Sequence, residues 1–192
     1  YYSTITTSLT NQGTVLVNTP SNIFSGAFTT ATGSLLHLEG NGSYGGAALT
    51  VASGFTNDGA IELTDVGGGY GASLTVTAGT LTNAAGGTIT ALAGAGGGRT
   101  LAAALDNQGL VTVNGPLTMN AASATHTNSG TLDLSGASLT LNQGGTNPSF
   151  TNAGTVTIGA GRTWAINGGT LNQGSGTISG AGTLSLTSAT VN

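Results

Sequence analysis

The sequence predicts an all-β fold: a parallel β-helix, or β-solenoid, of about eight coils, each with roughly 23 residues and three short strands. A phrase of the form apolar-Thr-Asn-x-Gly recurs along the 192 residues. After each copy, apolar and polar residues alternate over four or five positions, which is the pattern of a half-buried strand. No stretch of the chain shows the period of a helix.

The recurring phrase appears first as Leu9-Thr10-Asn11-Gln12-Gly13. A fixed phrase at a nearly fixed interval is typical of a repeat protein in which each copy is one structural unit. The gap after the first copy is double the others, and 32–38 fills it as a degenerate copy without the asparagine. The asparagines of the seven complete copies are Asn11, Asn57, Asn83, Asn107, Asn128, Asn152 and Asn172.

Each repeat holds more than one strand. The copy that begins at Asn128 continues with the alternating segments 131–134 and 138–141, and Phe150 leads into the next copy. Glycine and asparagine lie between the segments, and we expect them to supply the positive φ angles of tight corners. Three strands per repeat would coil on themselves and pair with the next coil about 4.8 Å away.

The stacked coils would place equivalent apolar residues in columns that face the core, and would stack the motif asparagines at one corner, where their amides satisfy buried backbone groups. An antiparallel β-sandwich is the alternative, because regular short strands also suit it. One predicted column contains Val15, Ile61, Ile89, Val111, Leu132, Val156 and Ile178. The next contains Val17, Leu63, Ala91, Val113, Leu134 and Ile158.

The composition excludes several classes of partner. Charged residues make up 4% of the chain, with no lysine and only Arg99 and Arg162 as cations, for a formal net charge of -4. Binding of nucleic acid or of anionic lipid needs clustered cations, so neither is expected. No apolar run approaches the roughly 18 residues of a membrane span, so no membrane insertion is expected.

Cysteine is absent, which excludes disulfides and thiolate metal sites. Together with the richness in threonine, asparagine and glycine, this composition predicts an extracellular protein of a bacterial cell surface. The whole chain, 1–192, is predicted to form one β-solenoid domain. Neither end shows a polar or helical cap, so we expect a segment of a longer protein or of an assembly stacked end to end.

The phrase L-T-N-x-G-T-V-x-V, followed by glycine-rich corners and L-x-L, resembles the repeats of bacterial autotransporter passengers and of filamentous-haemagglutinin-like surface proteins. The resemblance covers essentially the whole chain and implies a right-handed parallel β-helix that is exported to the cell surface for adhesion, fibre formation or display. It lies in scaffold positions alone, so it implies no catalytic or binding residue. No translocator barrel or signal segment accompanies it, so an export route is not part of the prediction.

Parallel β-helices also carry polysaccharide lyases and hydrolases, which need clustered carboxylates. The best group here is His37, Glu39 and Glu62, because His37 and Glu62 would point outward from neighbouring coils. We interpret it as a surface ion pair. Asp58 and Asp65, which flank Glu62, form the densest acidic patch. Calcium needs six to eight oxygen ligands, so we interpret this patch too as structural and not as a calcium site.

Four other side chains are of types that often serve in binding or catalysis. Arg99 and Arg162 share a Gly-Arg-Thr context, which predicts one repeat position where arginine stacks on a corner or pairs with an acid. Trp164 is in phase with an inward residue, so core filling is favoured over a sugar-stacking platform. His126 takes the apolar motif position and is expected to be partly buried. The glycine-rich runs at 67–69 and 94–98 are predicted loops.

The sequence therefore predicts an extracellular structural protein: a rigid stalk, fibre subunit or adhesin scaffold that stacks end to end. Its expected outside partners are surface glycans or the surfaces of host or neighbouring cells. No catalytic, cofactor-binding or metal-binding residue is assigned. The first alternative is a carbohydrate-binding or polysaccharide-degrading β-helix. The second is an ice-binding face, which the outward residues after the motif glycine would form. Only Thr88/Thr90 and Thr155/Thr157 are complete Thr-x-Thr pairs, and Glu62 and Asp133 interrupt that face.

Overall fold

The computed structural model describes residues 2–192, with side chains from Ser3 onward. Those residues form 24 short β-strands and no helix. In chain order the strands are β1 (Tyr2–Ile5), β2 (Leu9–Asn11), β3 (Thr14–Val17), β4 (Ser21–Phe24), β5 (Phe28–Thr30), β6 (Leu35–Gly40), β7 (Ala47–Val51), β8 (Phe55–Asn57), β9 (Ala60–Asp65), β10 (Ala72–Asn83), β11 (Thr88–Ala91), β12 (Arg99–Asn107), β13 (Leu110–Val113), β14 (Leu117–Met119), β15 (Thr125–Asn128), β16 (Thr131–Leu134), β17 (Leu139–Asn142), β18 (Ser149–Asn152), β19 (Thr155–Ile158), β20 (Thr163–Asn167), β21 (Thr170–Gln173), β22 (Thr177–Ser179), β23 (Thr183–Thr187) and β24 (Thr190–Val191).

The strands coil around three faces. Face one stacks β1, β4, β7, β14, β17, β20 and β23 with the first halves of β10 and β12. Face two stacks β2, β5, β8, β15, β18, β21 and β24 with the second halves of those two strands. Because β10 and β12 run through the corner, faces one and two form one sheet of 16 strands. Face three is a separate sheet of eight strands, from β3 to β22.

All pairings between these strands are parallel, as shown for β3 with β6, β10 with β12 and β20 with β23. The chain makes about seven turns with a period of roughly 24 residues. The predicted all-β parallel solenoid is therefore confirmed, and the antiparallel sandwich is excluded as the architecture. Among the described residues the antiparallel contact is a single bridge between Asn41 and Gly45, within one loop.

The predicted apolar columns form the core of face three. Val15 pairs with Leu36, Leu36 with Ile61, and Ile61 with Ile89, so the degenerate copy supplies its own member of the column. Residues in the middle of each column are fully buried, whereas Val15 and Ile178 at the two ends are only partly covered. Burial of stacked aliphatic side chains at about 25 cal/mol per Å² of apolar surface is the main force that holds the coils together.

The motif asparagines form the predicted ladder of buried amides at the corner between faces two and three. Asn57 Nδ2 donates to Asn83 Oδ1 at 2.8 Å, and Asn83 donates to Asn107 at the same distance. The chain of amides continues from Asn107 to Asn128 at 2.7 Å and from Asn128 to Asn152 at 2.8 Å. Each Nδ2 also donates to the backbone carbonyl that begins face three in the next coil, at Thr88, Leu110, Thr131, Thr155 and Thr177 in turn.

Two copies depart from the asparagine pattern. In the degenerate copy Thr30 takes the ladder position, and its hydroxyl donates to Asn57 Oδ1 at 2.5 Å. The assignment of Asn172 to the ladder was wrong. Leu171 pairs with Phe150, which brings Gln173 opposite Asn152 and turns Asn172 outward beside Thr151. The longer side chain of Gln173 reaches the ladder and accepts from Asn152 at 3.2 Å.

The glycine of the motif serves close packing, and the prediction that it supplies positive φ was wrong. Positive φ is confined to other positions, such as Gly33, Gly68 and Gly168 in the loops. A Cβ on Gly130 would collide with the carbonyl oxygen of Gly109 in the preceding coil, and a Cβ on Gly154 would collide with that of Gly130. The corners stack so tightly that a backbone oxygen occupies the place of a side chain.

Candidate functional site

The structure brings together His37, Glu39 and Glu62 on the outer surface of face three. His37 lies directly beside Glu62 in the parallel register, and its Nδ1 is 2.8 Å from Glu62 Oε2. The Nε2 atom of the same ring is 3.5 Å from Glu39 Oε2. Both ring nitrogens therefore face carboxylates, and the side chains are partly exposed. Such a pair stabilises a fold by about 0–1 kcal/mol.

The acidic patch predicted around Glu62 does not assemble. Asp58 lies exposed at a corner and Glu62 faces outward, whereas Asp65 is buried at the end of β9. Asp65 Oδ2 accepts from the backbone N–H of Gly97 at 2.6 Å, and Oδ1 accepts from that of Gly67 at 2.8 Å. These bonds hold the pKa of the Asp65 carboxyl below its usual value, with a smaller contribution from the Arg99 charge.

Arg99 is buried beside that carboxylate. It occupies an inward position of face one between Ala72 and Leu117, and Nη1 donates to the carbonyl of Gly97. The backbone of Gly97 therefore links the two charged side chains, since its N–H donates to Asp65 and its carbonyl oxygen accepts from Arg99. Among the described residues, none accepts a hydrogen bond from Nε or Nη2 of Arg99. We interpret this linkage as an anchor for the loop at 92–98, because it fixes that loop to the coil before it.

The two arginines do not share a repeat position, so that prediction was wrong. The register partner of Arg99 in the next coil is Leu117, whose own partner one coil later is Leu139. Leu139 in turn pairs with Trp164. Trp164 is thus the counterpart of Arg99, and Arg162 lies two residues earlier on an exposed turn. The matching Gly-Arg-Thr context misled because the loop before face one differs in length between coils.

Trp164 and His126 both belong to the core. Trp164 is fully buried, as predicted, and its ring meets Phe150 edge-on with centroids 5.1 Å apart. His126 is more deeply buried than expected, with 1% of its surface exposed. Its Nδ1 lies 3.3 Å from the backbone N of Leu105 and accepts that hydrogen bond. Burial lowers the pKa of His126 to about 4, so the ring is neutral at pH 7.

The surface carries a more regular threonine column than the one predicted. The outward pairs of face three lie where the sequence placed them, with Thr88 beside Ala60 and Thr155 beside Thr131. On face two, the threonine of each Thr-Asn phrase points outward and stacks on its neighbours, and Asp106 and Asn172 replace it in two coils. The threonines of this column are Thr10, Thr29, Thr56, Thr82, Thr127 and Thr151. A second outward column lies two residues earlier on the same face and mixes residue types, at Thr80, Ala104, Thr125, Ser149 and Thr170.

Sequence reasoning missed a cluster of exposed apolar side chains at the corner between faces three and one. Tyr44, Val66 and Tyr70 are 53%, 57% and 42% exposed. They lie on the loops that follow β6 and β9, which are adjacent because those strands pair. The cluster forms because loops 41–46 and 66–71 stack on each other. The loops are about 25 positions apart, so their contact cannot be predicted until the strand register is known.

A groove of about 210 Å³ lies beside these loops, where face one begins. Three glycines, Gly46, Gly71 and Gly98, precede the strands β7, β10 and β12 and leave the groove without large side chains. The backbone remains paired across it, since Ala47 N donates to Gly71 O and Ala72 N donates to Gly98 O, both at 2.9 Å. The remaining lining residues are Pro20, Ala47, Ala48, Ala72, Ser73 and Thr100.

Across residues 2–192, no group of three or more histidine or acidic side chains has an arrangement that could hold a metal ion. The same residues contain no helix of the length and hydropathy that a membrane-spanning helix requires.

Comparison of the chain with protein-family models, with curated proteins and with solved structures found no match. The stacked coils agree with the fold that the repeat phrase implied. Assignment to the autotransporter or haemagglutinin-like families, and the right hand of the coil, remain predictions.

Proposed function

We propose that this chain is a rigid extracellular scaffold that serves as a stalk, a fibre subunit or the support of an adhesin, in the manner of the surface proteins that its repeats resemble. The observation that carries the proposal is the buried amide ladder, which continues without a break from Asn57 to Gln173. A ladder of this kind holds every coil in register with the next. A rod that stays rigid under force requires such a fixed register.

The geometry supports stiffness along one axis. Seven turns at about 4.8 Å per turn give a rod about 34 Å long. Backbone hydrogen bonds between coils run parallel to that axis on all three faces, and side-chain amides add a fourth line of bonds. Hydrogen bonds in such chains polarise one another, so the ladder strengthens as it lengthens.

The surface chemistry supports an extracellular location. Solubility rests on threonine, serine and asparagine, because only 4% of the residues are charged. A surface of this kind has little attraction for nucleic acid or for anionic membranes. We further propose that the chain has no catalytic activity. Glu39 and Glu62 are engaged with His37, Asp65 is buried and bonded to backbone N–H groups, and Asp58 lies apart from them at an exposed corner.

The proposal includes self-association end to end. The inward columns of face one end in Leu184 and Leu186, and the column of face two ends in Val191. Leu186 and Val191 are 42% and 50% exposed, whereas their counterparts one coil earlier, Ile166 and Leu171, are buried. A strand edge with uncovered apolar residues is a template for further pairing. A second copy of this chain can supply the coil that covers them.

Electron microscopy and analytical ultracentrifugation of the purified chain test this proposal. We expect rods whose lengths are multiples of one solenoid, and a sedimentation coefficient that rises with protein concentration. Leu186→Lys combined with Val191→Lys should leave single rods, because a charge on an edge strand opposes pairing.

Leu110→Lys is the matched control, since Leu110 is exposed on the side of face three and not at an end. It should assemble like the wild type. Single rods of one length for the wild-type chain at all concentrations would contradict end-to-end stacking. Compact or flexible particles would contradict the scaffold itself.

A further inference from the structure

We propose that the groove at the start of face one, together with Tyr44 and Tyr70, binds a single chain of a neutral polysaccharide. This site adds a ligand to the scaffold and does not depend on whether the rods stack. The argument rests on the exposed aromatic rings, the loops that hold them, and the shape and charge of the groove.

Among the side chains that the structure describes, from Ser3 onward, the exposed aromatic ones are concentrated here. The other large apolar residues that are exposed lie singly on strands, at Leu16, Ile23 and Leu110, or at the C-terminal coil. Tyr44 and Tyr70, by contrast, lie on adjacent loops at one corner, with Val66 on the second loop. Exposed apolar residues that cluster mark a contact surface more often than those that are scattered. Tyrosine suits a sugar, because its ring packs on the apolar face of a pyranose and its hydroxyl bonds with sugar hydroxyls.

The loops that carry the rings are held in place. Asn41 Oδ1 accepts from the backbone N–H groups of Ser43 and Tyr44, at 3.0 Å and 2.9 Å. Asn41 and Gly45 exchange two backbone hydrogen bonds of 2.9 Å, which close the loop. The ring of Tyr70 lies over Gly45, so the second loop supports the first. A ligand therefore meets loops whose backbone is already positioned, and little backbone entropy is lost when it binds.

The groove has the shape that a linear chain requires. Its glycines lie on three successive coils, so the groove runs along the rod and crosses the strands. Its outward polar groups are the hydroxyls of Ser73 and Thr100, which are neighbours in the register. A concave surface with small apolar residues and a few placed hydroxyls is typical of a site that fixes one polar ligand.

The charge of the site favours a neutral glycan over other occupants. Of the described residues that line the groove, none is charged. Asp65 and Arg99 lie beneath the corner, but both are buried and bonded to the Gly97 peptide. An acidic polysaccharide would lose its water here without gaining an ion pair. A protein partner generally needs about 800 Å² of surface on each side, which is far larger than this groove.

Native affinity electrophoresis tests the proposal. The wild-type chain is run through gels that contain a β-1,3-glucan, xyloglucan or galactomannan, with polygalacturonate as the charged comparison. We expect retardation by at least one neutral polysaccharide and none by polygalacturonate. The double variant Tyr44→Ala/Tyr70→Ala should lower the affinity about tenfold or more, as expected for aromatic residues that dominate a contact.

Gly98→Leu tests the groove independently of the rings. A Cβ on Gly98 meets no other atom within 4 Å, so a leucine can start into the groove without a clash at its first side-chain carbon. Gly86→Leu is the matched control, because Gly86 is equally open and lies outside the groove. Circular dichroism verifies that each variant is folded. Gly98→Leu should abolish retardation, and Gly86→Leu should leave it unchanged.

Three outcomes would overturn the proposal. The first is a wild-type chain that no neutral polysaccharide retards. The second is retardation that survives both the tyrosine and the Gly98 substitutions. The third is self-association that the tyrosine substitutions abolish, which would make the cluster a contact between copies. End-to-end stacking is tested by other residues, Leu186 and Val191, so failure of one proposal leaves the other standing.

Discussion

At the scale of single residues, His126 shows how the column of face two tolerates a polar ring. It replaces the leucine or phenylalanine of the other copies. The centroids of its ring and the Phe150 ring are 6.2 Å apart. Its Nδ1 accepts a hydrogen bond from the backbone N–H of Leu105 in the preceding coil. The arrangement requires a neutral ring, because a protonated Nδ1 cannot accept a hydrogen bond and a buried charge is costly.

This requirement predicts a pH dependence of stability. The pKa of His126 is lowered from 6.5 to about 4 in the folded chain, so the unfolded chain binds the proton more readily. The free energy of unfolding should therefore fall as the pH drops below 6.5 and level off near pH 4, by about 3 kcal/mol in total. Urea denaturation of the wild type and of His126→Leu, at several pH values, measures the effect.

His126→Leu should remove the loss of stability between pH 6.5 and pH 4. A loss of the same size in this variant would show that another group is responsible. Asp65 acts in a lower window, since its lowered pKa makes its contribution disappear only as the pH falls below the ordinary value of 3.8. The loss of stability at the most acidic pH values should therefore persist in His126→Leu.

At the scale of the strand and corner, the Thr-Asn-x-Gly phrase has three distinct tasks. The threonine faces solvent, the asparagine joins the amide ladder, and the glycine admits the carbonyl of the neighbouring corner. The first two follow from alternation and from the need to satisfy buried backbone groups, and both were predictable. The third was not, because the crowding at Gly130 comes from Gly109, 21 positions earlier, and depends on how tightly the corners stack.

The ladder predicts a large difference between two asparagines. Asn107 is buried and donates to Asn128 Oδ1 and to Thr131 O, whereas Asn142 lies on the surface and accepts from Asn167 at 2.9 Å. Asn107→Ala leaves buried groups on both neighbouring coils without a partner and should cost about 3 kcal/mol. Asn142→Ala removes a similar bond at the surface and should cost about 0.5 kcal/mol or less.

Chemical denaturation of both variants measures these two costs. Equal effects would mean that the buried amide ladder contributes no more to stability than an exposed amide pair. A large cost at Asn107 alone would confirm that the ladder holds the coils in register.

Prediction from sequence succeeded where the repeat is regular and failed where the loops differ. The columns of face three were predictable because strand and corner keep a constant spacing there. Arg99 and Arg162 were misaligned because the loop before face one varies in length. Asp65 was predicted to form an acidic patch with Asp58 and Glu62, yet β9 extends to it and its carboxylate meets the Gly97 amide of the next coil. Tyr44 and Tyr70 escaped notice for the same reason, since only the register brings their loops together.

At the scale of the whole molecule, the parallel stack turns sequence distance into a simple spatial order. Residues that are one repeat apart lie one strand spacing apart, about 4.8 Å, whatever the length of the loop between them. The same order gives the molecule its rod shape, its exposed terminal columns and the groove that crosses several coils. All of these proposals rest on the claim that the coils stack in this linear order.

A spin-label ruler along face two tests that claim most directly. The chain contains no cysteine, so single cysteines at Thr10, Thr29, Thr56 and Thr151 can be labelled without side reactions. Those four threonines lie in one outward column. Labels at Thr151 and at each of the other three positions are measured by double electron–electron resonance, with the labelled chain diluted in unlabelled protein.

The register places Thr10, Thr29 and Thr56 six, five and four coils from Thr151. The account predicts distances between Cα atoms of about 29, 24 and 19 Å, which shorten by one strand spacing for each coil. Distances that do not shorten in these equal steps, as in a sandwich whose strands alternate between two sheets, would contradict it.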